Sequence, residues 1–300
     1  MLALPLALVV AFPLPIVRPE FDRKEDVIYG RKFGMALTMD IYVPRAKQNG
    51  AGVVYAVSGG WFSGKQAVPP RIYDEFLRRG YVVFAVYHGS QPRFTIPEAI
   101  DDMNRAVRFV RHTASKYGVD PERLGMTGGS AGGHLSLMQG CAPREGNPKS
   151  PDAVERESSR VAAVACFFPP TDFLNYGKPG EEALGNGTLK NFKAPFDFVT
   201  ADPETRSFVP VTDPEKRREI GKRISPVYHV SAKSAPTFII HGDADELVPI
   251  QQSQSIIEKL KAAKVPCELA IKEKGQHGWP DLLKDMPRLA DWFDQYTAKK

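Results

Sequence analysis

The sequence has little cysteine and no long apolar run, and both shortages exclude classes of protein. Only three of the 300 residues are cysteine, and no two of them form a C-x-x-C pair. Disulfide scaffolds and cysteine-rich metal modules are therefore excluded, and Cys166, inside an apolar run, is expected to be a buried free thiol. Because no stretch reaches the ~20 apolar residues of a membrane-spanning helix, we expect no integral membrane association.

A concentrated charge of one sign is also missing. The 40 Lys and Arg residues against 35 Asp and Glu leave a net charge of only +5, without a dense basic tract. A surplus this small argues against a nucleic-acid partner. The 42% hydrophobic and 25% charged residues are typical of a globular protein, and α/β folds of this length often have one core. We expect one domain over residues 25–300, with its oligomeric state left open.

Residues 1–24 are expected to be a signal peptide or an N-terminal arm. Met1 to Ala11 is uncharged and apolar, and Val9 with Ala11 satisfies the small-residue rule for cleavage. No Lys or Arg precedes Arg18, so the usual positive flank is missing. The pattern favours export, to the periplasm or the medium; the alternative is an apolar arm on a cytoplasmic protein.

From Val27 onward, short β-branched runs alternate with helical periodicities. This alternation predicts an α/β fold with a mostly parallel twisted sheet and helices on both faces. The expected strands are an antiparallel hairpin (27–33 and 37–43) and then 51–57, 81–87, 124–127, 161–168, 237–241 and 268–271. The expected helices cover 71–79, 100–114, 131–139, 256–263 and 282–296.

Two long connections join these elements, at opposite ends of the expected sheet. Residues 173–224 follow a strand and so leave the sheet at the carboxyl end of the strands, where ligands collect. This segment contains five phenylalanines among glycine, proline and charged residues, and we expect it to be a lid over the site. Residues 141–160 follow a helix and are expected at the opposite end, as a surface insertion.

A glycine-rich turn carries the strongest chemical signal. Residues 128–132 read Gly-Gly-Ser-Ala-Gly, a G-x-S-x-G pattern placed after a strand and before a helix. Flanking glycines let the chain turn sharply enough to expose the Ser130 hydroxyl, and the following N–H groups face developing negative charge. The pattern predicts a nucleophilic serine, while the alternative is a helix start with a capping serine.

A nucleophilic serine needs a base, and the base needs a carboxylate to hold its tautomer. His277 lies in a glycine-flanked loop between the last strand and the last helix, and Asp245 lies just after the preceding strand. The order Ser130, Asp245, His277 is the one this strand–turn–helix architecture uses. Asp243 and Asp172 are rival acids, with Asp243 interpreted as a turn residue.

Acyl transfer also requires donors for the tetrahedral oxyanion. The segment Ser58-Gly59-Gly60-Trp61 follows the strand 51–57, so the N–H groups of Gly59 and Gly60 can meet that of Ala131. Glycine lets backbone approach a substrate closely. These three amides are the predicted oxyanion hole, and the alternative is a plain tight turn.

Three further features accompany these motifs: Asp120-Pro121-Glu122-Arg123 before the serine turn, the extension of that turn to Ser-Ala-Gly-Gly-His, and the segment from His241-Gly242 to Pro249. With these features, the chain resembles the α/β-hydrolase superfamily. It is most similar to esterases and lipases near the hormone-sensitive-lipase and feruloyl or acetyl-xylan esterase groups. The similarity covers residues 25–297. It implies the α/β-hydrolase fold and ester hydrolysis through an acyl-enzyme, with no metal or organic cofactor and with Ser130, Asp245 and His277 as the catalytic triad.

Two departures from that resemblance lie near the expected site. The family loop usually reads His-Gly-Gly-Gly-Trp, whereas Val57 and Ser58 replace its first two residues here. The usual Tyr-Arg pair after the next strand is Tyr87-His88. We expect Trp61 and His88 to contact substrate, the alternative for His88 being a structural hydrogen bond.

The expected substrate is a short acyl ester of a small molecule or a carbohydrate. One alternative is a peptidase of the prolyl-oligopeptidase type, although no propeller repeat is visible in the sequence. The other is a binding protein without catalysis on the same fold, which the altered loop favours and the retained Ser130, Asp245 and His277 oppose.

Overall fold

The computed structural model describes residues 18–299, in which ten strands and six α-helices form the fold. The predicted cleavage segment, residues 1–11, lies outside the described residues. The first strand begins at Phe21, a few residues ahead of the domain start expected at residue 25.

Eight of the ten strands form one sheet, and two form a separate hairpin. The strands are β1 (Phe21–Lys32), β2 (Met35–Pro44), β3 (Gly52–Val57), β4 (Val82–Tyr87), β5 (Leu124–Gly129), β6 (Ala163–Phe167), β7 (Val199–Asp202), β8 (Ser207–Pro210), β9 (Thr237–Gly242) and β10 (Cys267–Lys272). The large sheet has the order β1-β2-β4-β3-β5-β6-β9-β10, and β7 pairs with β8. All its pairings from β4 to β10 are parallel, while β2 runs antiparallel to both neighbours. The predicted mostly parallel sheet and opening hairpin are confirmed.

Helices cover both faces of this sheet, which explains why all residues of β3 and β6 are buried. The helices are α1 (Asp74–Arg78), α2 (Ile96–Thr113), α3 (Ala131–Cys141), α4 (Pro214–Arg223), α5 (Gln251–Ala262) and α6 (Met286–Tyr296). One apolar core lies under α2, α3 and α5, and a second lies under α1 and α6. The longest, α2, starts with a Thr95–Glu98 capping box, which satisfies its first free N–H groups.

The 173–224 insertion is folded, with α4, β7 and β8 inside it. Phe173 and Phe196 pack their rings against Trp61, at centroid distances of 5.8 and 5.4 Å. The insertion therefore lies beside the segment that follows β3, at the carboxyl edge of the sheet. Its opening and closing over a substrate stays a prediction.

The other long connection, 141–160, packs against α2. Arg105 donates to Asp152 and Glu155 across this contact. Because the segment leads into the amino end of β6, it lies away from the carboxyl edge that holds the glycine-rich turn.

Cys166 is buried and free, as predicted, and burial raises the pKa of its thiol. Within residues 18–299, none of the helices has both the length and the apolar character needed to cross a bilayer.

Candidate active site

The glycine-rich turn sets the serine at the carboxyl edge of the central strand. Ser130 joins the end of β5 to the start of α3 with φ +54° and ψ −120°, a conformation that residues other than glycine rarely adopt. A Cβ on Gly128 would lie 2.6 Å from the carbonyl carbon of Gly132, and one on Gly132 would lie 2.5 Å from the oxygen of Ala56. Only glycine fits at both positions, so the turn closes and the Ser130 side chain lines a cavity.

Two hydrogen bonds connect this serine to a histidine and a carboxylate. The Ser130 Oγ lies 2.8 Å from His277 Nε2, and His277 Nδ1 lies 2.8 Å from Asp245 Oδ2. A carboxylate can only accept, so Nδ1 carries the hydrogen and Nε2 accepts from the serine hydroxyl. The structure thus brings together the three side chains that the sequence analysis named, in an arrangement suited to proton transfer.

Asp245 lies in an environment that keeps it ionised. Desolvation raises the pKa of this carboxyl, but hydrogen bonds from His241, His277 and the Val248 N–H lower it more, so the pKa lies well below the usual range. Leu247 N–H also donates to the same oxygen as Val248 N–H. The carboxylate therefore stays negative, and a negative charge in this position can stabilise an imidazolium at His277.

His241 is a neighbour of the acid that the sequence analysis did not assign a role. Its Nε2 lies 2.8 Å from the carbonyl oxygen of Val248 and 3.3 Å from Asp245 Oδ2, and its Nδ1 lies 2.6 Å from Ser253 Oγ. Since the carbonyl accepts, Nε2 carries the hydrogen and shares it with the carboxylate. The signal was its position, at the end of β9 and four residues before Asp245.

The rival acids have other partners. Asp172 accepts hydrogen bonds from the Leu174 N–H and the Tyr228 hydroxyl, which hold the start of the insertion. Asp243, in the turn after β9, accepts from the Lys274 N–H in the turn after β10. Neither carboxylate hydrogen-bonds to His277.

The predicted oxyanion hole needs a correction at one of its three amides. The N–H of Gly59 donates to the carbonyl oxygen of Phe62 at 2.9 Å, and the Phe62 N–H donates back to Gly59, so the Gly59 amide is already used. In the part of the chain that the structure describes, the N–H groups of Gly60 and Ala131 have no intramolecular acceptor. These two amides remain as candidate donors, and Gly60 lines the same cavity as Ser130.

Of the two residues predicted to contact substrate, Trp61 lies beside the cavity at Ser130 and His88 does not. Trp61 is 3% exposed, donates through Nε1 to His134 Nδ1 and lines a small chamber beside Ser130. His88 is buried behind the segment that carries Gly60, and it lines no cavity containing Ser130. The structure favours the alternative given for His88, a structural hydrogen bond, because both nitrogens of its ring are used by Ser58 and Gly89.

Two chambers meet at Ser130. The larger has a volume of about 370 Å³, and the smaller has about 10 Å³. The larger is lined by His277 and by Tyr55, Val68, Ile72, Phe167, Phe168, Phe192, Leu247 and Leu282, among others. The smaller is lined by Trp61, Pro170, Tyr176, Leu189 and Val248, and both share Gly60, Phe192 and Leu247. Among residues 18–299, His277 is the only Asp, Glu, Lys, Arg or His side chain that lines either chamber.

Within the described residues, no three His, Cys, Asp or Glu side chains are grouped closely enough to hold a metal ion.

A family model matches residues 39–260, from the middle of β2 to near the end of α5, and this range includes the glycine-rich turn. The chain belongs to the BD-FAE family. Together with the eight-stranded sheet, this membership confirms the α/β-hydrolase fold that the sequence motifs implied. His277 lies outside the matched range, so its assignment depends on its hydrogen bonds to Ser130 and Asp245.

Relatives and solved structures that are similar to the chain are described as ester hydrolases. A probable carboxylic ester hydrolase, LipM of Mycobacterium tuberculosis, is 31% identical over 90% of this chain. The chain spans 60% of the length of LipM. Esterase 2 of Thermogutta terrifontis is 25% identical with a TM-score of 0.68, over 95% of this chain and 97% of its own. A truncated carbohydrate esterase from gut microbiota shares the fold, at 24% identity and a TM-score of 0.75, over 94% of this chain and all of that one.

Proposed function

We propose that this BD-FAE protein is a serine carboxylic-ester hydrolase that works through an acyl-enzyme. The observation that carries the proposal is the pair of 2.8 Å hydrogen bonds from Ser130 to His277 and from His277 to Asp245. A serine with a positioned base and a charged carboxylate behind that base can attack an ester carbonyl.

The proposed reaction has two halves, acylation of Ser130 and hydrolysis of the acyl-serine. Ser130 Oγ attacks the carbonyl carbon while His277 Nε2 takes its proton, and the oxyanion accepts hydrogen bonds from the Gly60 and Ala131 N–H groups. The carbon–oxygen bond to the alcohol then breaks, and His277 gives its proton to the leaving oxygen. In the second half, water attacks the acyl carbon while His277 Nε2 takes its proton. The bond from that carbon to Ser130 Oγ then breaks, and His277 returns the proton to Ser130 Oγ as the acid leaves.

The named relatives support this class of reaction. LipM is described as a probable carboxylic ester hydrolase, and the Thermogutta protein as an esterase phosphoramylated by tabun and phosphorylated by paraoxon. Phosphorylation by such agents requires an activated nucleophile. We propose that Ser130 is the corresponding nucleophile here.

The two chambers suggest where each half of the ester binds. The leaving alcohol must lie near His277, which gives it a proton, and His277 lines only the larger chamber. We therefore assign the larger chamber to the alcohol and the smaller one, beside Trp61 and Gly60, to the acyl group. A volume of about 10 Å³ has room for one water-sized group, so the acyl group is short.

The lining of the larger chamber favours an apolar alcohol over a sugar. Its walls are mainly aromatic and aliphatic side chains, which would leave most sugar hydroxyls without partners. Propionate and butyrate are described as bound to the Thermogutta esterase, in agreement with a short acyl group. We propose short acyl esters of apolar or aromatic alcohols, and carbohydrate esters are the competing outcome.

The class of reaction is tested with p-nitrophenyl acetate and paraoxon. We expect hydrolysis by the wild type and a single diethyl phosphate adduct that mass spectrometry maps to Ser130. Ser130→Ala should lose both, with an unchanged far-UV circular dichroism spectrum. A folded wild type that hydrolyses no ester and forms no adduct would instead favour a binding protein without catalysis.

The assignment of the chambers is tested with an acyl series on one alcohol, from acetate to hexanoate. We expect kcat/KM of the wild type to fall steeply beyond propionate. Leu189→Ala enlarges the small chamber and should move the optimum to longer acyl groups. Leu282→Ala, in the large chamber, is the matched control and should leave the acyl preference unchanged while altering the preference among alcohols. Faster hydrolysis of acetylated sugars than of aromatic acetates would contradict the assignment of an apolar alcohol.

A further inference from the structure

The two departures from the expected family sequence contact each other. His88 Nε2 lies 2.8 Å from Ser58 Oγ, and His88 Nδ1 lies 2.8 Å from the carbonyl oxygen of Gly89. Both side chains are buried, Ser58 at 6% and His88 at 4% exposure. The two residues are 30 positions apart, so the sequence alone does not show that the two replacements are related. In the structure they form one hydrogen-bonded pair.

The tautomer of His88 follows from its partners. A carbonyl oxygen can only accept, so Nδ1 carries the hydrogen and Nε2 is an acceptor. The hydrogen of the Ser58 hydroxyl therefore points at His88, although Ser58 lines the larger chamber. As a result the Ser58 hydroxyl is not available as a donor to an oxyanion, and this leaves that role to backbone N–H groups.

Burial keeps the imidazole neutral, in agreement with this tautomer. Desolvation outweighs the hydrogen bond to Gly89 and, with a smaller contribution from the nearby Lys32 ammonium, lowers the pKa of His88 to about 4. The ammonium of Lys32 is paired with Asp102, which also accepts from the Gly89 N–H. At neutral pH the ring is thus a fixed, uncharged acceptor.

The pair belongs to a set of hydrogen bonds between two loops. We call residues 57–63 the donor loop, because it carries Gly60, and residues 88–91 the supporting loop. The further bonds between the loops are His88 N–H to Ser63 Oγ (3.2 Å), Ser63 N–H to Ser90 Oγ (3.1 Å) and Gln91 N–H to Trp61 O (3.2 Å). Within the donor loop, Ser63 Oγ donates to Val57 O at 2.6 Å. The Ser58–His88 bond fixes the start of the loop, immediately before the glycines.

We propose that Ser58 and His88 are positioning residues that hold the donor loop so that the Gly60 N–H faces the oxyanion. This inference depends on the proposed esterase function for its catalytic consequence, but the loop contact itself does not. His88 stabilises the transition state only through Ser58 and the backbone, because its ring lines neither chamber that contains Ser130.

The test uses a matched pair of variants at one position. His88→Gln places an amide oxygen near the position of Nε2 and can still accept from Ser58, whereas His88→Asn reaches only the position of Nδ1 and loses that contact. Ser58→Ala removes the other partner. Combining Ser58→Ala with His88→Asn should be no worse than either single variant, because both remove the same bond.

The first readout is hydrogen exchange of peptides that cover the donor loop, which needs no activity. We expect faster exchange in Ser58→Ala and His88→Asn, and near wild-type exchange in His88→Gln. Unchanged exchange in all variants would overturn the proposal, whatever the enzyme does.

The second readout separates positioning from general loss of structure. The kcat values are calculated per active site, counted by titration with a fluorophosphonate. In Ser58→Ala and His88→Asn we expect kcat to fall about 10- to 100-fold, with KM within about twofold of the wild type. This fall is smaller than the one expected when a whole oxyanion donor is lost. The inhibition constant of a trifluoromethyl ketone, whose adduct with Ser130 carries an oxyanion, should weaken in parallel with kcat. Equal kcat in all variants would overturn the catalytic role, whereas a wild type with no activity and no titratable serine would overturn the proposed function itself.

Discussion

The triad side and the donor-loop side of this site are built in different ways. On the triad side, the proposed chemistry belongs to the side chains of Ser130, His277 and Asp245, which are joined by 2.8 Å hydrogen bonds. On the donor-loop side, the proposed donors to the oxyanion are backbone N–H groups, and the side chains of Ser58 and His88 form a hydrogen bond behind them. Because every residue except proline has a backbone N–H group, the supporting side chains can change while the N–H donors remain. The triad residues have no such freedom.

The comparison predicts the largest effect for a change to the triad acid. Asp245→Asn should lower kcat about 10⁴-fold, since an amide can donate to His277 and favours the wrong tautomer. Asp243→Asn is the matched control, because it keeps the oxygen that accepts from the Lys274 N–H and should stay near wild type. Steady-state kinetics on p-nitrophenyl acetate measures both. A comparable loss in Asp172→Asn with an active Asp245→Asn would transfer the role of the acid to Asp172.

A smaller effect is expected on the donor-loop side, where two adjacent glycines differ. Gly60 has φ +54°, and a Cβ there would lie 2.6 Å from the Phe192 ring, whereas a Cβ on Gly59 has no neighbour within 4 Å. Gly60→Ala should therefore move its amide and lower kcat about 10²-fold. Gly59→Ala keeps the bond to Phe62 and should change kcat less than about threefold. Equal losses in the two variants would contradict the correction made to the oxyanion hole.

The smallest effect concerns stability, and it tests the buried histidines that support the donor loop. Burial lowers the pKa of His88 and of His134 to about 4 each, while an unfolded histidine titrates near 6.5. Between these values the unfolded chain binds more protons, so stability falls as the pH falls from about 6.5 to 4. Each histidine should contribute a loss of about 2 kcal/mol between pH 7 and pH 5.

Urea unfolding at the two pH values measures this loss. His88→Gln and His134→Gln should each be less sensitive to pH than the wild type, even where they are less stable at pH 7. A wild-type stability that does not change between pH 7 and pH 5 would show that the two rings are not held neutral.

Much of the triad side could be predicted from the sequence because its signals are local. The Gly-Gly-Ser-Ala-Gly turn lies between a strand pattern and a helix pattern, so the few residues of this segment are enough to identify Ser130. Asp245 and His277 each follow a strand, and the carboxyl ends of parallel strands lie at one edge of a sheet. The rival acids could not be excluded in this way, because Asp172 also follows a strand.

The donor-loop side was predicted less well. Gly59 and Gly60 are identical in sequence, and only the turn that binds Gly59 to Phe62 decides which N–H is free. His88 was expected to contact substrate, although its ring turns away from the chambers to bind Ser58. His241 is recognisable in the sequence only as part of a motif, yet it contacts the acid.

The sequence by itself determined the alternation of strands and helices, the serine turn and the order of the three triad residues, because these depend on periodicity and backbone conformation within short segments. Only the tertiary structure decided which amides stay free, which histidines support the site and how much room lies on each side of Ser130. Such features depend on packing between segments far apart in the chain, such as Phe192 over Gly60 and His88 behind Ser58. A short sequence pattern does not predict contacts between such distant segments.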